Sequence, residues 1–133
     1  MIKKFKRILA AALAAITMTT AMTLNASAAT LRTRMETISG SSNFDGDFDR
    51  KYYVTASDYD DTIVGTMWAY YEDNLLSDKV YTKVTSSVGV HYATISSKTT
   101  YATDDMGRGV SAVTDKVVLS NDRAVYEAGV YVS

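Results

Sequence analysis

The chain contains no cysteine and no proline, and among its 133 residues it has one histidine, His91, and one tryptophan, Trp68. Each shortage closes an option. Without cysteine there is no disulfide staple, no thiolate nucleophile and no lipoprotein-type lipid attachment. Zinc would find at most one imidazole and no thiolate, so a tetrahedral site is not expected. A Ser–His–Asp triad would have to run through His91, which Val90 and Tyr92 flank inside an apolar alternation, and no G-x-S-x-G elbow accompanies it. His91 is therefore expected to be an outward strand residue and not a catalytic base. Without proline, strand edges must be guarded by charge, bulges or shortness.

One stretch of the chain is address and not fold. Lys3, Lys4, Lys6 and Arg7 precede an apolar run from Ile8 to about Thr20, and Asn25-Ala26-Ser27-Ala28-Ala29 offers small residues in an A-x-A arrangement. This is the pattern of a secretory signal peptide, residues 1–28, with cleavage expected after Ala28 or, second, after Ala29. Thr17, Thr19, Thr20 and Thr23 dilute the apolar run, so no stable membrane anchor is expected after cleavage. The expectation is a secreted, extracellular protein, with the Lys-rich start and lack of disulfides suiting a bacterial exporter. Residues 29–133 suffice for one domain and are too few for two.

Past residue 28, ten basic residues stand against fifteen acidic ones, a net charge of −5 with histidine neutral. An acidic, unclustered surface argues against nucleic acid or anionic lipid as partner.

What the chain has in quantity is two-residue periodicity. From Lys79 to Ile95, Val80, Thr82, Val84, Ser86, Val88, Val90 and Tyr92 alternate with Tyr81, Lys83, Thr85, Ser87, Gly89, His91 and Ala93. The spacing predicts one long strand, bent near Ser86–Gly89 so that it serves two sheets, with Val84, Val88 and Val90 buried. Further strands are expected at 31–38 (with Arg32, Arg34 and Glu36 outward), 51–57, 63–71, 99–103, 110–119 and 124–132. Stretch 63–71 is apolar on both faces and should be covered twice. Turn chemistry separates them at Asp58–Asp61, Asp104–Gly109 and Ser120–Asp122. The fold class predicted is all-β, an antiparallel β-sandwich of about seven strands, with a partly open β-barrel as the alternative.

Candidate sites are few. Asn43, Asp45, Asp47 and Asp49 alternate in a Gly-containing loop, but an EF-hand frame starting at Asn43 would place Phe48 where glycine and Val54 where glutamate are needed. The loop reads as solvated acid, and no metal or other cofactor is expected. Ten tyrosines are the remaining signal. Trp68, Tyr52, Tyr70, Tyr92 and Tyr126 lie in apolar registers and are expected in the core or in cross-strand pairs. Tyr53, Tyr81 and Tyr131 fall in mixed registers and are expected to be exposed, where tyrosine makes binding contacts at low entropic cost. In kind, a short cysteine-free exported β-sandwich is similar to the lactococcin-972-like bacteriocins. The reading is a secreted, non-catalytic binding module that uses Tyr53, Tyr81 or Tyr131 on an extracellular protein or glycan. The alternative is a small secreted antibacterial or cell-envelope-active protein.

Overall fold

Alternation of apolar and polar residues becomes strand along most of the described chain. The structure is a computed structural model that describes residues 29–98 and 100–133, so the segment read as a signal peptide lies outside the described residues. In chain order the strands are β1 (Thr30–Ser39), β2 (Phe48–Ser57), β3 (Asp60–Glu72), β4 (Lys79–Thr85), β5 (His91–Ser97), β6 (Thr100–Met106), β7 (Ala112–Val113), β8 (Val117–Val118) and β9 (Arg123–Val132). A single 3₁₀ turn at Ser41–Asn43 separates β1 from β2.

All pairings are antiparallel and fall into two sheets, in the orders β1-β9-β5-β6 and β2-β3-β4-β7, with β8 also paired to β4. The sheets do not close into a barrel. They face each other, with β1 near β2, β9 near β3, β5 near β4 and β6 near β7. Between them lie Val54, Met67, Tyr71, Val80, Val84, Ile95, Tyr126 and Val130, all almost fully buried. Each such side chain contributes about 1.5–3 kcal/mol on leaving water.

The expected long strand is two strands, one in each sheet. The bend falls where predicted, but residues 86–90 belong to no strand. Ser86 Oγ donates to the Val64 carbonyl at 2.7 Å and accepts from the backbone N–H of Val88 at 3.1 Å. Those bonds satisfy the turn locally and release it from strand pairing. Gly89 passes so close to the next strand that a β-carbon there would lie 2.1 Å from the Tyr131 carbonyl oxygen.

The corner also resets the parity. In β4 the even residues Val80, Thr82 and Val84 face the core, whereas in β5 it is His91, Ala93, Ile95 and Ser97. Val88 is exposed and Val90 half-buried, so only Val84 of the three expected valines is a core residue. The 110–119 stretch likewise divides into β7 and β8, each two residues long, and the expected count of about seven becomes nine among the described residues.

The first strand is turned over relative to expectation. Arg32, Arg34 and Glu36 pair with Val130, Ala128 and Tyr126, which places them on the side facing the other sheet. At this open side Arg32 donates from Nε to the Thr55 carbonyl at 3.1 Å and ion-pairs with Asp58 at 2.9 Å, and the Arg34 guanidinium lies 5.3 Å from the Tyr52 ring centre. On the opposite side Asp104 of β6 accepts from the Val113 N–H at 2.9 Å. Inward charged residues thus fasten both open sides, Arg32 and Arg34 on one and Asp104 on the other, which protects the edges without proline.

Candidate functional site

The outer face of the second sheet gathers the aromatic residues. On β3 the odd residues Met67, Ala69 and Tyr71 are buried, which turns Trp68 and Tyr70 outward as half-buried residues. Of the two places expected for them, core or cross-strand pair, both residues take the second, and the expectation that β3 is covered twice is corrected. Register then builds rows across the strands. Lys51, Trp68 and Lys83 are direct partners on β2, β3 and β4, and so are Asp49, Tyr70 and Tyr81. Tyr53 sits two residues beyond Lys51 on the same face and is 45% exposed.

Within these rows the side chains stack sideways. The Tyr70 and Tyr81 rings are 4.4 Å apart and 6° from parallel. Lys116 Nζ lies 5.3 Å from the Tyr81 ring centre and is ion-paired with Glu72. Trp68 is flanked from both sides, by Lys51 Nζ at 5.7 Å and Lys83 Nζ at 4.9 Å from its ring centre. Cross-strand pairs of this kind contribute about 0.2–1 kcal/mol each, so they stabilise the sheet while standing at its surface.

At one end of the rows a groove of about 370 Å³ is lined by Asp47, Asp49, Tyr70, Tyr71, Glu72 and Tyr81. Burial is the main cause that raises the Tyr70 pKa above the usual tyrosine value, with Tyr81 and Asp49 adding to it. Tyr81 is raised by burial first and by Glu72, against an opposing effect of Lys116. The Lys116 ammonium is held protonated chiefly by its hydrogen bond to Glu72. The face therefore presents phenols, ammonium groups and the carboxylates of Asp47, Asp49 and Glu72, which supply contact, hydrogen bonds and charge of both signs.

Of the three tyrosines expected to be exposed, Tyr53 is exposed and Tyr81 is half-buried, both on this face. Tyr131 is not. It is 2% exposed and lies on the first sheet, away from the core cluster. Its backbone N–H donates to the Val90 carbonyl at 2.9 Å. Nearby, Tyr92 donates to Glu127 at 3.1 Å while its ring covers Gly129, where a β-carbon would lie 2.0 Å from a ring carbon. No surface ring is available at 131, and Gly129 is the sequence feature that lets the Tyr92 ring lie flat on β9.

His91 is also opposite to expectation. It is fully buried, with Nδ1 2.9 Å from the Gly89 carbonyl and Nε2 2.6 Å from the Val110 carbonyl. The ring ties the 86–90 corner to the loop before β7. Its position comes from the parity change at the corner, which a continuous alternation conceals.

The acidic loop is dispersed by the fold. Asp47 accepts from the Asp73 N–H at 2.6 Å, and Asp49 lies on β2. Among the described residues no group of three or more histidine, aspartate or glutamate side chains is placed to hold a metal ion. No protein-family model, curated protein or solved structure matches this chain.

Proposed function

We propose that the protein is exported by a signal peptide at residues 1–28 and acts outside the cell as a non-catalytic binding module. Its contact surface in this reading is the outer face of β2, β3 and β4. The observation that carries it is the exposed cross-strand array in which Trp68 stands between Lys51 and Lys83 beside the Tyr70–Tyr81 stack. Aromatic side chains with few rotatable bonds lose little entropy on binding, and a ladder already ordered by its neighbours loses less. Tyr53 and Tyr81 belong to this surface, Trp68 and Tyr70 join it, and Tyr131 leaves it.

The test is cosedimentation of purified protein with isolated cell walls, and capture of soluble polymers from culture medium. A Tyr53→Ser/Trp68→Thr double variant should lose binding while its melting temperature falls by only a few degrees. Tyr92→Phe, on the other sheet, should bind as the wild type does. Undiminished binding by the double variant, or a turnover abolished by replacing one aspartate or glutamate, would sink the proposal.

A further inference from the structure

The row around Trp68 has a sign. Tyr70 and Tyr81 are direct cross-strand partners, so the 4.4 Å line between their rings runs along the sheet from β3 to β4. Parallel rings stacked along that line stand upright and turn their edges to solvent. Trp68 is held the same way, with an ammonium group from the adjacent strand on either side. An aromatic edge carries the positive part of the ring quadrupole, while the negative face attracts cations. Trp68 has lysines beside it and Tyr81 has Tyr70 and Lys116, so ring edge and ammonium point outward there, while Asp47, Asp49 and Glu72 line the groove at one end of the rows.

Two of those ammonium groups are not neutralised. Lys116 has Glu72, but Lys51 and Lys83 have no carboxylate partner among the described residues. They belong to strands on either side of β3. Two strand spacings put their backbones about 10 Å apart. A neutral sugar would need a free ring face on which to stack, and Trp68 offers none.

Resting on the binding-face reading above, we infer that the occupant is an anionic extracellular polysaccharide, whose acidic groups meet Lys51 and Lys83 across Trp68. The charge of the rest of the chain does not forbid this, because solvent-exposed charges are largely screened beyond about 8 Å at physiological ionic strength. It does select a sparsely charged polymer. Duplex DNA carries one charge per about 1.7 Å and requires a cationic surface to match. Two free lysines with Asp49 in the adjacent row are too few for DNA, and equally for a sheet of anionic lipid.

Affinity electrophoresis in gels containing carboxymethyl-dextran or unmodified dextran tests the inference. The purified wild type should be retarded by carboxymethyl-dextran and not by dextran, with the retardation weakening as salt is raised. Lys51→Gln/Lys83→Gln should weaken retardation tenfold or more, while Arg108→Gln, in an exposed loop, should leave it unchanged. Equal retardation by both dextrans, or by neither, overturns the anionic occupant. So does an equal loss in Arg108→Gln, or tighter binding to duplex DNA or phosphatidylglycerol vesicles than to carboxymethyl-dextran. If Tyr53→Ser/Trp68→Thr loses cell-wall binding while the lysine pair can be replaced without effect, the face still binds and only its proposed ligand class is wrong.

Discussion

Tyr126 on β9 donates its hydroxyl to the carbonyl oxygen of Tyr70 on β3, 3.1 Å away. The sheet that lacks the aromatic array thus holds the backbone of the one that carries it, because Tyr126 is fully buried and crosses the core. Removing this hydroxyl in Tyr126→Phe leaves the Tyr70 carbonyl without that donor at little change in volume. The expected cost is about 1–2 kcal/mol. That corresponds to a fall of several degrees in melting temperature for a domain of this size. A calorimetric melt checks it, and an unchanged transition would show that the two sheets do not depend on this bond.

Replacing His91 separates two accounts of the corner. A strand residue pointing to solvent would tolerate alanine. A buried ring set between the Gly89 and Val110 carbonyls would not, because its loss creates a cavity and unties the corner from the loop before β7. His91→Ala is expected to destabilise by about 3 kcal/mol or more, read as a lower urea midpoint at similar slope. A neutral result would return the histidine to the surface.

Alkali should unfold the protein through its tyrosines. Tyr70, Tyr71, Tyr81, Tyr92, Tyr101 and Tyr126 all have pKa values raised above the usual tyrosine value, burial being the largest cause in each. In the unfolded chain they ionise near pH 10. The folded state keeps protons that the unfolded state releases, so their contribution to stability is intact below about pH 10 and is lost as pH rises toward the folded values. Melting temperatures from pH 8 to 12, with tyrosinate absorbance recorded in parallel, should show a plateau followed by a fall. A stability profile that stays level while the tyrosines ionise would contradict this.

The strands and most turns were legible in the sequence because period-two alternation and Asp/Asn/Gly clusters act locally. The turn before β9 is an example: Asn121 and Asp122 both take positive φ, 56° and 47°, as a tight two-residue connection requires. What alternation cannot state is which face turns inward. Residues 63–71 are apolar on both faces, and only pairing with Lys51 and Lys83, whose stems and ammonium groups flank an indole, makes Trp68 an outward residue. Arg32 and Arg34 read as solvent-facing for the ordinary reason that charge avoids a core, yet at a sheet edge an inward arginine reaches a neighbouring carbonyl and Asp58. Tyr53 and Tyr81 were visible as candidates, while the face they share with Trp68 and Tyr70 exists only once three strands are aligned.

The antiparallel pairing of β1 with β9 runs from Thr30 opposite Val132 to Ser39 opposite Arg123. A force pulling residues 30 and 132 apart therefore meets the ladder at its end and opens it rung by rung, as a zipper opens. It never loads all the rungs together, as shearing would. The same domain can then be thermally robust, through a core that melts only as a whole, and mechanically compliant along this axis, yielding β1 at low tension while the other sheet, with its lysine–tryptophan row, stays assembled.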